Sequence, residues 1–216
     1  MGLRHAATGV LLKYIAIEGV IGVGKTTLVN YLAQDYQAKP YYEIVEDNPF
    51  LSLFYQDKEK YAFDTEIYFL LSRFRQQREL EIDLKKNKQF IASDYLFDKN
   101  KIFAQITLNS EDFRTFSLVF YGIHTKIIAP NLVVYLRSDV PSLMKRIRTR
   151  DRTFERNMDE KYIATLSHQY DAFFETYKAS EVLVVDVSER DFVANREDYK
   201  YIKNLIDQKI EQRRVV

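Results

Sequence analysis

The stretch Tyr14 to Leu28, YIAIEGVIGVGKTTL, constrains this chain more than any other. Gly19, Gly24, Lys25 and Thr26 satisfy G-x-x-x-x-G-K-[ST], with a buried-strand pattern over Leu11 to Ile17 before it and a helical pattern over Thr26 to Asp35 after it. Backbone N–H groups turn inward around phosphate oxygens only at φ values that a Cβ resists, so glycine is chemically required there. The chain has six glycines, and Gly19, Gly22 and Gly24 are three of them. The positive end of the following helix faces the same anion. Lys25 then reaches the β and γ phosphates, and the Thr26 hydroxyl is a hard oxygen ligand for Mg²⁺. With Thr27 these residues form the expected nucleotide-binding set. The loop alone specifies only a nucleoside triphosphate, because kinases, GTPases and ATPases share it.

A chain of 216 residues fills one domain, taken here as 1–216, with residues 1–10 a loose extension. A net charge of +1 with 46% hydrophobic residues argues against a nucleic-acid or membrane partner. The absence of cysteine excludes disulfides and thiolate catalysis. No apolar run reaches the roughly 18 residues of a membrane span, and the first ten residues are too short for a signal peptide, so a cytoplasmic location is expected.

Further along, Tyr41 to Val45 reads as a strand running into Glu46. A carboxylate at the end of a parallel strand points into the crevice where α/β sheets bind ligands, although a turn acid before Pro49 is the plainer role for it. Ala62 to Lys85 reads as a long helix whose Phe63, Ile67, Leu70, Leu71 and Phe74 suit a core face, leaving Tyr55, Glu66, Tyr68 and Arg73 to decorate a pocket. Gln89 to Tyr95 is a third strand ending in Asp94, and Ile102 to Ile128 holds one or two aromatic-rich helices. Asn131 to Arg137 and Glu181 to Val187 complete five strands alternating with helices, which predicts an α/β fold with a parallel doubly wound sheet. Between the last two strands, Arg146, Arg148, Arg150, Arg152 and Arg156 fall within 11 residues. Such a segment suits either a solvated helix end or a lid, about 148–158, that neutralises charge on a transferring phosphoryl group. A helix from Asn195 to Arg213, capped by Asn195, ends the chain.

Taken together, IAIEGVIGVGKTTL, EIVEDNPFLSLFY, FDTEIYFLLSRFRQ, SDYLFDKNKIFA, RTRDRTFE and DVSERDF resemble the deoxyribonucleoside kinase family, most of all its bacterial deoxyguanosine kinases, over Tyr14 to about Ile206. The resemblance implies a P-loop kinase fold and transfer of a phosphoryl group from ATP, with Mg²⁺, to the 5′-hydroxyl of a deoxynucleoside. It implies that Glu46 meets that hydroxyl, that Tyr55 and Glu155 hold the 3′-hydroxyl, and that Arg73 lies near the base edge and Glu46. It makes Arg146, Arg150 and Arg152 lid arginines, gives the ATP adenine to the Arg190-Asp191-Phe192 loop, and implies a homodimer, with Phe113 to Ile128 a plausible face.

Two departures stand out. Many relatives carry acid-Arg-Ser after the third strand, whereas here Asp94, suited to the Mg²⁺ water shell, is followed by Tyr95 and Leu96. Relatives often have glutamine where this chain has Glu66. An ionised carboxylate offers only acceptors, which match the N1–H and N2 amino donors of guanine, so deoxyguanosine is the expected first substrate and deoxyadenosine the second. Lys99 falls near a position that is acidic in some relatives, and a cation there suits guanine O6 or N7. A thymidylate-kinase-type monophosphate kinase shares loop, lid and sheet but needs a basic site for the acceptor phosphate. A GTP-dependent switch protein would carry an Asn-Lys-x-Asp motif, which this chain lacks.

Overall fold

The computed structural model describes residues 13–86, 90–152, 155–156 and 158–214. The extension at 1–10, the first residues of the Leu11 to Ile17 strand, Gln89, and positions 153, 154 and 157 of the lid segment lie outside the described residues. β1 (Tyr14–Gly19) is buried along all six residues and apolar apart from Glu18, the pattern of a central parallel strand. It is flanked by β3 (Ile91–Ser93) and β4 (Leu132–Arg137), with β2 (Lys39–Tyr41) and β5 (Glu181–Asp186) at the edges, so the all-parallel order is β2-β3-β1-β4-β5. Ile15 sits opposite Ala92 on one side and Leu132 on the other. The chain winds one way from β1 to β3 and β2 and the other way to β4 and β5. A crevice therefore opens beside the carboxyl end of β1.

The helices are α1 (Lys25–Tyr36), α2 (Leu51–Gln56), α3 (Lys58–Lys86), α4 (Lys99–Thr107), α5 (Ser110–His124), α6 (Val140–Arg150), α7 (Glu160–Thr176) and α8 (Arg196–Arg214). Side chains cap several of them where the sequence supplies the right residue. The Asn109 carboxamide oxygen accepts from the Glu111 and Asp112 N–H groups at 3.0 Å each, Asp139 accepts from Ser142 N–H at 2.7 Å, and Asn195 from Glu197 N–H at 3.0 Å. Most hydrophobic side chains of the sheet and its helices form one core, and Leu70, Phe97, Ala104, Phe116 and Phe120 form a second between α3, α4 and α5.

Three differences from the sequence expectation stand out in the fold. β2 stops at Tyr41 instead of continuing to Val45, because the next ladder donor, Glu43 N–H, turns to the Asp94 carboxylate at 2.6 Å. The long helix begins at Lys58, after a break at Asp57 that separates it from α2. α7 was not anticipated, although Ile163, Leu166, Tyr170 and Phe174 bury one helical face and Asp159 caps the start by accepting from Lys161 N–H at 3.0 Å.

Candidate active site

A cleft of about 830 Å³ opens over the carboxyl ends of β1, β2 and β3. Its floor at one end is the glycine-rich loop. Gly22 has φ +85 and Gly24 φ +104, and a Cβ on Gly24 would lie 2.6 Å from Phe192 Cζ. The loop thus borders the cleft on one side and packs against Phe192 on the other. Gly24→Ala adds left-handed strain of about 1–3 kcal/mol to that clash, and is expected to raise the apparent Kd for a nonhydrolysable ATP analogue at least about tenfold by calorimetry. A Kd within about twofold of the original would show that the loop does not need its glycine.

Lys25 Nζ donates to the carbonyls of Gly19 at 2.6 Å and Val20 at 3.3 Å. Burial, together with the nearby Lys99 cation, brings its pKa down to about 8. An incoming phosphate therefore meets an ammonium already short of solvent. Thr26 Oγ1 donates to Asp94 Oδ2 at 2.6 Å, placing a hydroxyl and a carboxylate side by side at the helix N-terminus. Burial raises the Asp94 pKa, while the Thr26 bond works against that rise. Two hard oxygens, with no larger group of ligating side chains among the described residues, fit an ion that keeps water and phosphate oxygens in its shell, as Mg²⁺ does.

Beneath the loop, Glu18 is fully buried and ties three elements together. It accepts from Gly19 N–H at 2.8 Å, from Leu96 N–H at 2.7 Å and from the Tyr170 hydroxyl of α7 at 3.1 Å. The segment bearing Asp94 is thereby fixed against the phosphate loop.

The other end of the cleft is a cluster of buried charge. Glu43, two residues beyond β2, faces the cavity between α3 and α4. Arg73 Nε donates to Glu43 Oε1 at 2.8 Å, Arg73 Nη2 donates to the same oxygen, and Lys99 Nζ donates to Oε2 at 2.8 Å. Burial pushes the Glu43 carboxyl up, but the Lys99 and Arg73 cations outweigh it and hold the group well below the usual carboxylate range. Arg73 is pinned on its third side, where Nη1 donates to Asn100 Oδ1, and Asn100 Nδ2 donates to Phe97 O at 2.6 Å. Glu66 lies in the same wall, 3% exposed, its Oε1 accepting from Thr107 Oγ1 at 3.0 Å. Burial raises its pKa to about 7, against a partial pull from Arg73 and Lys99.

Glu46 is not part of this cluster. It is exposed and lies outside the cleft lining, and the carboxylate brought into the cleft is Glu43. The cause is the Asp94 bond that ends β2 early and turns Glu43 inward, leaving residues three positions on to face solvent. Phe192 is also displaced from its expected place. It is 2% exposed in the core against Gly24, so it supports the loop from below, while Arg190, Asp191, Val193 and Ala194 on either side of it line the cleft. Gly19 likewise backs the loop: a Cβ on it would lie 2.4 Å from Leu136 O.

Gly22, Thr27, Tyr55, Lys99, Arg146, Arg150, Arg152 and Glu155 do line the cleft, whereas Tyr68, expected to decorate the pocket, lies outside the lining and packs edge-on against Phe50 with ring centroids 6.5 Å apart. Arg146 anchors the loop after β5, donating to Val187 O at 2.8 Å and Arg190 O at 2.9 Å. Arg150 Nη2 donates to Glu155 Oε1 and Oε2 at 2.6 and 2.5 Å, with Arg152 Nη1 3.9 Å from Oε1. Burial raises the Tyr55 phenol, with Glu155 adding to the rise, so it stays protonated as a donor. The segment after Asp94 supplies no arginine: Tyr95, Leu96 and Phe97 are all buried, and its cation in the cleft is Lys99.

Comparison with known proteins bears on the family and the fold. The family model described as deoxynucleoside kinase matches residues 15–211. The chain is 33% identical to a deoxyguanosine kinase of Bacillus subtilis over 201 residues, covering 89% of this chain and 97% of that protein. It is 28% identical to a deoxyadenosine/deoxycytidine kinase of Bacillus subtilis, covering 90% of each. Among solved structures, a deoxyadenosine kinase from M. mycoides with bound dATP superposes with a TM-score of 0.78 at 25% identity, over 90% of this chain and 99% of that one.

Proposed function

Because this chain belongs to the deoxynucleoside kinase family, we propose that it transfers the γ-phosphoryl group of ATP to the 5′-hydroxyl of a purine deoxynucleoside, deoxyguanosine ahead of deoxyadenosine. The observation that carries the reading is the division of one cleft into two ends, Lys25, Thr26 and Asp94 at one and Glu43, Arg73, Lys99 and Glu66 at the other. The triphosphate belongs to the first end and the acceptor to the second.

In this reading Lys25 exchanges the Gly19 carbonyl for the β and γ phosphates. The Thr26 hydroxyl and Asp94 carboxylate are the oxygens that would hold Mg²⁺, which when bound neutralises charge on the phosphates. Glu43 accepts the hydrogen bond of the 5′-hydroxyl and aims its oxygen at the γ phosphorus. As the new O–P bond forms and the bond to the ADP bridging oxygen breaks, the hydroxyl proton passes to Glu43. A carboxylate this acidic is a weak base toward a resting alcohol, so orientation is its first task and proton acceptance comes late. Tyr55 and Glu155 hold the 3′-hydroxyl, and Arg150 and Arg152, on the lid, face the transferring group. Asp191 and the loop anchored by Arg146 lie beside the adenine.

Guanine preference rests on Glu66. Ionised, it accepts from N1–H and the N2 amino group, while Lys99 suits O6 or N7. The α5 face exposing Leu118, Val119 and Tyr121 is the proposed homodimer surface of a cytoplasmic enzyme. The test of the reaction is phosphate transfer from ATP with Mg²⁺ to deoxyguanosine, deoxyadenosine, deoxycytidine, thymidine and their monophosphates, assayed side by side. Deoxyguanosine is expected to give the highest kcat/KM. Transfer to monophosphates alone would replace this reading with that of a monophosphate kinase.

A further inference from the structure

The two cations on Glu43 are not equivalent. Arg73 grips Oε1 through two N–H groups and is tied on its far side to Asn100, which is fully buried and itself bonded to Phe97 O. Its release would break all three of these bonds at once. Among the described residues, Oε2 is taken by Lys99 alone, through one 2.8 Å contact from an unbranched side chain. Lys99 lines the cleft, its ammonium 5.4 Å from the centroid of the Phe103 ring. Oε2 is therefore the oxygen that a single side-chain rotation can vacate.

What would move Lys99 is also constrained. Its side chain is 4% exposed, and an ammonium so buried leaves one acceptor only for another, because stranding it costs several kcal/mol. A purine with an oxygen at C6 brings such an acceptor into the cleft. A purine with an amino group there brings a donor, which an ammonium repels.

We propose that Lys99 is a substrate-responsive counter-ion. It occupies Glu43 Oε2 in the empty site and transfers to O6 of a 6-oxopurine, so that reading the base vacates the oxygen that receives the 5′-hydroxyl. Base identity then acts on turnover as well as on binding. The inference rests on Glu43 as the carboxylate that meets the hydroxyl.

The experiment measures kcat and KM separately for deoxyguanosine, deoxyinosine, deoxyadenosine and the deoxyriboside of 2-aminopurine, in the original enzyme, Lys99→Met and Lys99→Arg. In the original enzyme kcat sorts by the 6-position, the two 6-oxopurines exceeding the other two about tenfold whether or not a 2-amino group is present. Lys99→Met leaves Glu43 paired with Arg73, so the fold persists. Oε2 is then open to every substrate, kcat for deoxyadenosine rises to within about twofold of that for deoxyguanosine, and KM for deoxyguanosine increases. Lys99→Arg restores the sorting. A kcat ratio unchanged in Lys99→Met, or an original enzyme whose kcat follows the 2-amino group, overturns the proposal while leaving the kinase reading intact. Absence of transfer to all four nucleosides overturns that reading instead.

Discussion

Replacing Glu43 with glutamine is expected to lower kcat about a thousandfold, within the range lost with a positioned general base, and to change KM for the nucleoside much less. A carboxamide keeps the shape but turns one end into a donor, which repels Arg73 or Lys99 and no longer accepts the hydroxyl proton. The change also strands one of two buried cations, so the variant should melt at lower temperature, by an amount corresponding to about 3–5 kcal/mol. Kinetics recorded well below that melting point separate the two effects. Glu46→Gln is the matched control: the residue is exposed and outside the cleft, so kcat should stay within about twofold and stability within about 0.5 kcal/mol. If the two variants exchanged behaviour, the acceptor end of the site would have to be rebuilt around Glu46.

That pair of acids marks where the sequence stops being legible. The phosphate loop, four of the five strands and most helices follow from local patterns, since β1 is apolar apart from Glu18 and the glycines answer to backbone angles. Glu43 and Glu46 lie in one short stretch, and the choice between them depends on where β2 ends. That end is set by Asp94, 51 residues further on, whose carboxylate takes the Glu43 N–H. No local periodicity records such a bond. The same holds for Glu18, which reads as one more residue of a strand until Leu96 and Tyr170 arrive from distant parts of the chain. Phe192 was legible as part of the loop after β5 but not as the residue under Gly24, because that contact joins segments 168 positions apart by their numbering. Position 66 is the opposite case. The residue type carries the chemistry, and what the structure adds is the burial that sets its charge.

Burial pushes the Glu66 carboxyl up to about 7, from about 4.5 for an ordinary glutamate, because it disfavours the charged form. Two results are expected from this. The first concerns selectivity. Above pH 7 the carboxylate accepts both donors of guanine and repels the unprotonated N1 of adenine. Below it, the protonated acid donates to adenine N1 and accepts from the N6 amino group. The ratio of kcat/KM for deoxyguanosine over deoxyadenosine should therefore rise about tenfold or more between pH 5.5 and 8. In Glu66→Gln the ratio should be lower and flat with pH. The second result concerns stability. A carboxyl whose pKa is raised on folding carries no penalty below its unfolded value, acquires one as pH rises between 4.5 and 7, and carries it in full above 7. A rise of that size corresponds to about 3 kcal/mol. Glutamine keeps the bond from Thr107 Oγ1 without the charge, so Glu66→Gln should match the original protein near pH 4.5 and exceed it in urea midpoint at pH 8. A variant less stable at pH 8 would mean that the carboxylate is retained for the fold. A more stable variant with weakened guanine selectivity would mean that this chain carries a buried acid at a cost in stability for the sake of the base it reads.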